Sequence, residues 1–197
     1  SEYHLPLVGG DTTRGPLTIS VQVMGALPMD QALLRGGARV GDGVYVSGTL
    51  GDAAGALAAL EDEWQPAPDH AEYLLERFNR PRARLALGME LLGRASAAID
   101  ISDGLLADAG HMAAASGVKI CIETDLLPIS DALASHESPD KVMQWALTGG
   151  DDYELCFCLP AHEPVPDGCS RIGRVEEGTG VDCGQAIDFP AGYQHFS

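Results

Sequence analysis

The sequence is poor in basic residues, in aromatic residues and in long apolar runs. Lys and Arg total 12 against 29 Asp and Glu, which gives a formal net charge of −17 at pH 7. A chain this acidic is a poor partner for a nucleic-acid backbone or an anionic membrane surface. No apolar run reaches the length of a transmembrane helix, and the N-terminus shows no secretory leader pattern. We therefore expect a cytoplasmic protein that binds neither nucleic acid nor membrane.

The chain also lacks the cysteine and histidine spacings of zinc sites and disulfide frameworks. Its five cysteines are odd in number and include no CxxC pair. Cys156 and Cys158 alternate in an apolar run, which predicts that both thiols lie on one face of a strand, as buried free thiols of a reducing compartment. The histidines are scattered, and none accompanies Ser or Cys in a nucleophile motif. We therefore expect no covalent intermediate and assign no general base.

The remaining composition, 45% hydrophobic and 21% charged, is that of a globular domain. Apolar periodicity predicts interleaved elements: strands at 17–24, 43–49, 97–101, 118–123 and 154–159, a helical turn at 29–34, and helices at 53–60, 71–78, 84–94, 104–116, 129–134 and 140–146. This alternation indicates a mixed α/β fold of layered helices and strands. The strand at 17–24 lacks natural partners. We therefore place a domain boundary near 29–33, with 1–32 as the tail of one domain and 33–197 as the α/β domain.

The most informative run is AIDISDGLL at 98–106. An apolar strand stops at Asp100, and an amphipathic helix starts near Asp103. Crowded carboxylates repel each other unless a cation lies between them, and Mg²⁺ takes oxygen ligands while keeping waters for phosphate. Ser102 or Asp103 could instead simply cap the helix, whose N-terminus favours anions. From this run alone, metal binding and helix capping are equally well supported interpretations.

Two further junctions combine paired glycines with carboxylates. One is Gly9-Gly10-Asp11-Thr12, and the other is the segment GGDDYEL at 149–155, which leads into an apolar run. Paired glycines let the backbone approach a ligand closely, and the carboxylates supply hard oxygen donors. Each junction is weak evidence because such turns are common. Three of them in one chain favour a site for metal and phosphate.

The segments GGDTTRGPL, AIDISDGLLAD and LTGGDDYELCF, in this order and at these separations, resemble the bacterial thiamine-monophosphate kinase family. That family belongs to the aminoimidazole ribonucleotide synthetase superfamily. The closing GYQHF at 192–196 is similar to the family's C-terminus. The resemblance implies a superfamily C-terminal α/β domain after the remnant of an N-terminal ATP-binding domain that pairs in a homodimer. It also implies phosphorylation of thiamine monophosphate to thiamine diphosphate by direct in-line transfer from ATP, with Mg²⁺.

The resemblance also implies roles for individual residues. The nucleotide would be bound by Gly10, Asp11, Arg35 and Ser102, the metal by Asp11, Asp100 and Asp103, and the thiamine part by Asp151 and Tyr193. Without the resemblance, Arg35 reads as an ordinary surface arginine, and Tyr193 reads equally well as a residue packed on the core. Asp151 stands where the family often carries the longer Glu.

The chain departs from the family in one respect. A further metal-binding stretch with several aspartates would precede Gly9, and it is not in this sequence. We therefore expect the 197-residue chain by itself to be inactive. Two other interpretations stay open. One is a different ATP enzyme of the superfamily, such as selenophosphate synthetase, and the other is a non-catalytic metal-binding or dimerisation module.

Overall fold

The structure, a computed structural model, describes residues 5–29 and 31–184. Its six strands are β1 (Gly43–Ser47), β2 (Ala97–Asp100), β3 (Lys119–Ile122), β4 (Leu155–Leu159), β5 (Cys169–Glu176) and β6 (Gly180–Asp182). Its six α-helices are α1 (Asp52–Leu60), α2 (Pro68–Asn79), α3 (Leu85–Leu91), α4 (Leu105–Ser116), α5 (Asp131–Ala134) and α6 (Pro139–Thr148), with a 3₁₀ turn at Thr124–Leu126. The predicted mixed α/β fold is confirmed. No helix within these residues is long and apolar enough to cross a membrane.

All six strands form one sheet in the order β2-β4-β1-β5-β3-β6. Its neighbours are antiparallel except β3 and β6, which run parallel. Asp100 of β2 pairs with Leu155 of β4, and Val46 of β1 pairs with Cys156. The end of β2, the start of β4 and the end of β1 therefore lie side by side. We call this margin of the sheet the site edge.

Strand alternation divides the core between the two faces of the sheet. On one face, Cys156 and Cys158 join the main core with α4, and both are fully buried. On the other face, Phe157 stacks on Tyr45 at 5.7 Å between ring centroids and packs with Leu91 of α3. The prediction that the two cysteines share a face is confirmed. Burial raises the pKa of the Cys156 thiol to about 12.

A second apolar cluster joins the helices α1, α2, α5 and α6 beside the sheet. Leu74 and Leu133 are fully buried there, together with Trp145. Serine caps begin two of these helices: the Ser130 hydroxyl accepts from the Leu133 amide, and the Ser138 hydroxyl accepts from the Lys141 amide. The connection from α6 to β4 leads from this layer of helices to the site edge.

Two predictions about the N-terminal segment are wrong. Residues 17–24 form no strand, and the apolar side chains of their alternating pattern are exposed, with Leu17 at 96%. A strand needs a neighbour for its N–H and C=O groups, and nothing among residues 5–29 and 31–184 supplies one to this segment. The described residues among 29–34 form no helix, and the Gln31 amide donates to Pro28 O at 3.3 Å in a turn. The division into 1–32 and 33–197 stays a prediction.

Asp152 caps helix α1, although it lies far from that helix in the sequence. Helix α1 follows Gly51, which has a left-handed φ of 82° and supplies no side chain. The Asp152 carboxylate instead accepts from the amides of Gly51, at 2.7 Å, and Ala53, at 3.4 Å. Burial raises the pKa of Asp152 to about 7, and the nearby charge of Asp52 acts in the same direction. The two amides and Arg77 oppose this shift.

The raised pKa of Asp152 predicts a pH dependence of stability. Because the ordinary carboxyl pKa of 3.8 is well below about 7, the folded state holds a proton that the unfolded state releases between these values. The contribution of Asp152 to the free energy of unfolding should therefore fall as pH rises from 4 to 7. Asp152→Asn keeps an oxygen acceptor for the two amides but cannot titrate.

Urea denaturation of wild type and Asp152→Asn across this pH range measures the difference in their free energies of unfolding. We expect wild type to lose stability relative to the variant as pH rises. The exposed Asp167, changed to Asn, is the control and should track wild type. A constant difference between wild type and Asp152→Asn across the range would contradict the prediction.

Candidate functional site

Backbone pairing continues past the ends of β2 and β4 and joins two of the predicted motifs. The Ile101 amide donates to Glu154 O at 2.8 Å, and the Tyr153 amide donates back to Ile101 O at 2.9 Å. The Asp151 amide then donates to Ser102 O at 3.0 Å. The AIDISDGLL and GGDDYEL segments therefore lie side by side at the site edge.

The glycines of both segments allow this close approach. Gly104 has a φ of 114°, and a Cβ there would lie 2.8 Å from the carbonyl carbon and oxygen of Thr148. A Cβ on Gly150 would lie 2.5 Å from Ser102 O. Both distances are too short for a side chain, so these glycines are required by the packing of one loop on the other.

The start of α4 is organised by Asp108. Its Oδ2 accepts from the amides of Ser102 and Asp103 at 3.0 Å and from the Gly104 amide at 3.2 Å. No side chain at the N-cap performs this role, so the interpretation of Ser102 or Asp103 as the helix cap is wrong. Desolvation raises the pKa of Asp108, while the amides of Asp103 and Ser102 oppose the rise. These three amides donate to Asp108 and are therefore not available to bind a phosphate.

An acidic group surrounds the side chain of Tyr153. The Tyr153 hydroxyl donates to Asp151 Oδ1 at 3.0 Å, and this bond, with burial and the charges of Asp151, Asp100 and Asp103, raises the tyrosine pKa. Asp151 and Tyr153 both have left-handed φ angles, 64° and 50°, which are strained for residues other than glycine. Tyr153 is 42% exposed and was not among the predicted site residues. Its place inside GGDDYEL was the available signal.

The donors at this edge fit Mg²⁺ in part. Asp100 is exposed at the end of β2, and Asp103 is half-buried two residues before α4. Among residues 5–29 and 31–184, no group of three or more His, Cys, Asp or Glu side chains is arranged to hold a metal. Mg²⁺ in proteins is commonly bound through one or two carboxylates, with water and substrate phosphate completing its octahedron. Asp100 and Asp103 provide two carboxylates at this edge of the sheet.

The N-terminal candidates lie elsewhere in the structure. Gly10 and Asp11 belong to the exposed segment 5–29, and the Asp11 carboxylate accepts from the adjacent Thr12 amide at 2.8 Å. Their predicted roles in binding nucleotide and metal stay predictions.

Arg35 is likewise not brought to this group. The Arg35 carbonyl accepts from the Ser116 hydroxyl at 3.4 Å, at the C-terminal end of α4. Ser102 lies beyond the other end of that 12-residue helix, roughly 18 Å away along the axis. Tyr193 lies outside the described residues. The structure thus brings together Asp100, Ser102, Asp103 and Asp151.

The remaining carboxylates of GGDDYEL point to the interior. Asp151 and Tyr153 lie at the surface, whereas Asp152 and Glu154 are buried. Fully buried Glu154 accepts from the Ser47 hydroxyl, from Arg84 Nε at 2.6 Å and from Arg77 Nη2 at 2.9 Å. Asp152 and Glu154 therefore support the loop, a role that the sequence pattern alone left unassigned.

Residues 39–183 match the family described as AIR synthase related protein, C-terminal domain. This chain belongs to that family. The match spans all the strands and helices that the structure describes and includes Asp100, Ser102, Asp103 and Asp151.

Thiamine-monophosphate kinases are among the proteins similar to this chain. That of Escherichia coli K12 is 48% identical over 159 residues, 80% of this chain and 49% of the relative. A crystal structure from Stenotrophomonas maltophilia K279a has 42% identity and a TM-score of 0.75, covering 80% of this chain and 54% of the other. AaThiL complexed with AMPPCP and TMP has 42% identity and a TM-score of 0.75, covering 83% and 54%. The predicted resemblance is confirmed, and this chain spans about half the length of these proteins.

Asp108 gives a test of the loop geometry. Asp108→Ala should leave the amides of Ser102, Asp103 and Gly104 without their acceptor. Since hydrogen bonds to a charged group contribute about 1.5–3 kcal/mol, we expect the free energy of unfolding to fall by about 2–3 kcal/mol in urea denaturation. Asp167→Ala, at an exposed position, should change it by less than about 0.5 kcal/mol. Equal effects of the two substitutions would show that Asp108 does not hold this loop.

Proposed function

We propose that this chain is part of an enzyme that phosphorylates thiamine monophosphate to thiamine diphosphate with ATP and Mg²⁺. One observation carries the proposal: the AIDISDGLL and GGDDYEL loops lie side by side, so that Asp100, Asp103 and Asp151 share one exposed acidic group beside Ser102. The likeness to thiamine-monophosphate kinases, one of them complexed with AMPPCP and TMP, supports it.

The reaction joins two polyanions. An oxygen of the acceptor phosphate forms a bond to the γ-phosphorus of ATP, the bond from that phosphorus to the bridging oxygen breaks, and ADP leaves with the electron pair. An acceptor phosphate is already a nucleophile at neutral pH, so no covalent enzyme intermediate and no dedicated base are required. The barrier is mainly one of charge and position. Bound Mg²⁺ would neutralise the phosphate charges.

Asp100 and Asp103 would hold the metal. Their carboxylates stand at the end of β2 and before α4, and both raise the pKa of Tyr153 through their negative charge. A cation at this position would relieve the repulsion between the neighbouring carboxylates.

Ser102 would contact the nucleotide phosphates through its hydroxyl. That hydroxyl makes no hydrogen bond to any described residue, while the neighbouring amides are held by Asp108. The family resemblance also implies Gly10, Asp11 and Arg35 at the nucleotide, with Asp11 as a further metal ligand. Arg35 lies at the opposite end of α4 from Ser102, so it would contact a different part of the nucleotide.

Asp151 would face the thiamine part of the substrate. A carboxylate suits the cationic thiazolium ring, and the Tyr153 hydroxyl fixes its orientation at 3.0 Å. Tyr193 would add an aromatic face, where a cation–π contact contributes about 0.5–2 kcal/mol.

A homodimer in the cytoplasm is part of the proposal. Segment 5–29 exposes a run of large apolar side chains, among them Leu17, Ile19, Val21 and Val23, each at least 73% exposed. Exposed apolar side chains in this number are typical of a surface that another chain covers. The family resemblance names a second copy as that chain.

Asp100→Asn tests the metal role. In the intact protein assayed with ATP, Mg²⁺ and thiamine monophosphate, we expect turnover to be abolished. Thermal stability should stay at or above that of wild type, because one of several crowded carboxylates is neutralised. Asp167→Asn is the matched control and should retain full turnover. If the protein is a non-catalytic module, wild type itself will show no turnover. If the site is misassigned, Asp100→Asn will turn over substrate as fast as wild type does.

Asp151→Asn tests the specificity role. Loss of the charge facing the thiazolium should raise KM for thiamine monophosphate by roughly fivefold or more, equivalent to about 1 kcal/mol, with KM for ATP unchanged. Tyr153→Phe, which keeps the ring but releases the carboxylate, should change KM in the same direction by a smaller factor. Steady-state kinetics with each substrate varied in turn gives both constants. A rise in KM for ATP alone would assign Asp151 to the nucleotide instead.

A further inference from the structure

A second concave site lies at the site edge, on the far side of Glu154 from the acidic group. It is a cavity of about 320 Å³, and it lies against the residues that directly follow β1. The lining consists of Gly48, Thr49, Tyr73, Glu76, Arg77, Arg80, Arg82 and Arg84. Four of the chain's 12 Lys and Arg residues therefore line one cavity, in a protein whose net charge is −17.

Two of these arginines are fixed by buried carboxylates. Arg77 bonds Glu154 through Nη2 at 2.9 Å and Asp52 through Nε at 3.4 Å. Arg84 makes a bidentate contact with Glu154 through Nε and Nη2. The Nη1 groups of both arginines make no hydrogen bond to any described residue. The Glu154 carboxylate thus holds two guanidinium groups in place with donors to spare.

The other two arginines, Arg80 and Arg82, have no protein partner in the described part of the chain. They flank Pro81 in the connection from α2 to α3, both are exposed, and neither side chain makes a hydrogen bond or ion pair there. Like charges on neighbouring side chains repel each other. They stand on the rim of a cavity whose lining holds two further guanidinium groups and one carboxylate, Glu76, so an anion there is favoured.

Gly48 keeps the floor of this cavity open. Its φ is left-handed, at 57°, and a Cβ there would lie 2.7 Å from Arg84 Nη2 and closer still to the Glu154 carboxylate. Any larger residue would displace the pair that forms the floor. The cavity is therefore built by the backbone as well as by its side chains.

We propose that this cavity binds the phosphate group of a small anionic ligand, at a site distinct from the acidic group. Guanidinium groups present paired donors that match phosphate oxygens, and four of them around one opening offer more donors than a planar carboxylate can accept. Asp100 and Ser47 end strands on either side of β4, so the two sites are roughly 10 Å apart across the sheet. The inference does not depend on the proposed kinase activity.

The test is a calorimetric titration of the intact protein with inorganic phosphate, in the presence of EDTA and at constant ionic strength. Without divalent metal the acidic group repels phosphate, so binding reports on the arginine-lined cavity. We expect saturable binding by wild type and an affinity at least tenfold lower for the double variant Arg80→Gln/Arg82→Gln. Neither side chain makes a hydrogen bond or ion pair in the described part of the chain, so the double variant should fold as wild type does, which circular dichroism checks.

Arg39→Gln is the control for removing a guanidinium group away from the cavity, because Arg39 is exposed and precedes the opposite end of β1. It should bind phosphate as wild type does. The proposal is overturned if wild type shows no saturable binding, if the double variant binds phosphate as wild type does, or if Arg39→Gln weakens binding equally. Malonate at the same ionic strength should bind more weakly than phosphate, and equal or tighter binding would refute the choice of a phosphate ligand.

Discussion

The geometry of the site depends on backbone pairing that continues beyond the formal ends of β2 and β4. The bonds among Ile101, Ser102, Asp151, Tyr153 and Glu154 hold two loops in one register, as a strand pair would. Because these bonds involve main-chain atoms, side chains can vary along the two loops, except where close packing requires glycine, as at Gly104 and Gly150. The sequence is then free to place carboxylates and a hydroxyl on this scaffold, which an apolar pairing surface would not allow.

The same register explains why adjacent acidic residues have opposite environments. Asp151 faces water, whereas Asp152 and Glu154 are buried and need compensation. The amides at the start of α1 supply it for Asp152, and the arginines Arg77 and Arg84 supply it for Glu154. Removing one partner of such a buried pair leaves an isolated charge, which costs several kcal/mol. The sequence GGDDYEL therefore combines an exposed acidic surface with its internal support.

Periodic features of the chain were predictable, and features made by distant contacts were not. The alternation of Cys156 and Cys158 and the apolar spacing of α4 gave the correct strand and helix, because burial follows these periods directly. Residues 17–24 carry the pattern of a strand, but a strand also requires a neighbour, which a pattern within one segment does not report. The motifs identified Asp100, Ser102, Asp103 and Asp151 as neighbours.

Supporting interactions escaped the sequence reading for a related reason. Asp152 caps a helix that lies far from it in the chain, and Arg77 contacts Glu154 because α2 packs beside α1. The role of Asp108 could have been predicted, since this residue lies one helical turn beyond the loop that it holds. A carboxylate in the first turn of α4 was the signal that could have identified it.

The burial of the cysteines in β4 has a practical consequence. Cys156 directly follows the residue at which β4 meets the site edge, and its thiol is fully buried with a raised pKa, as is that of Cys158. An alkylating reagent reacts with thiolate and needs access, so it can modify these two side chains only while the strand is open. The rate of their modification, compared with that of the more accessible Cys169, reports how often this margin of the sheet separates. The chain thus carries its own probe of breathing motions beneath the site.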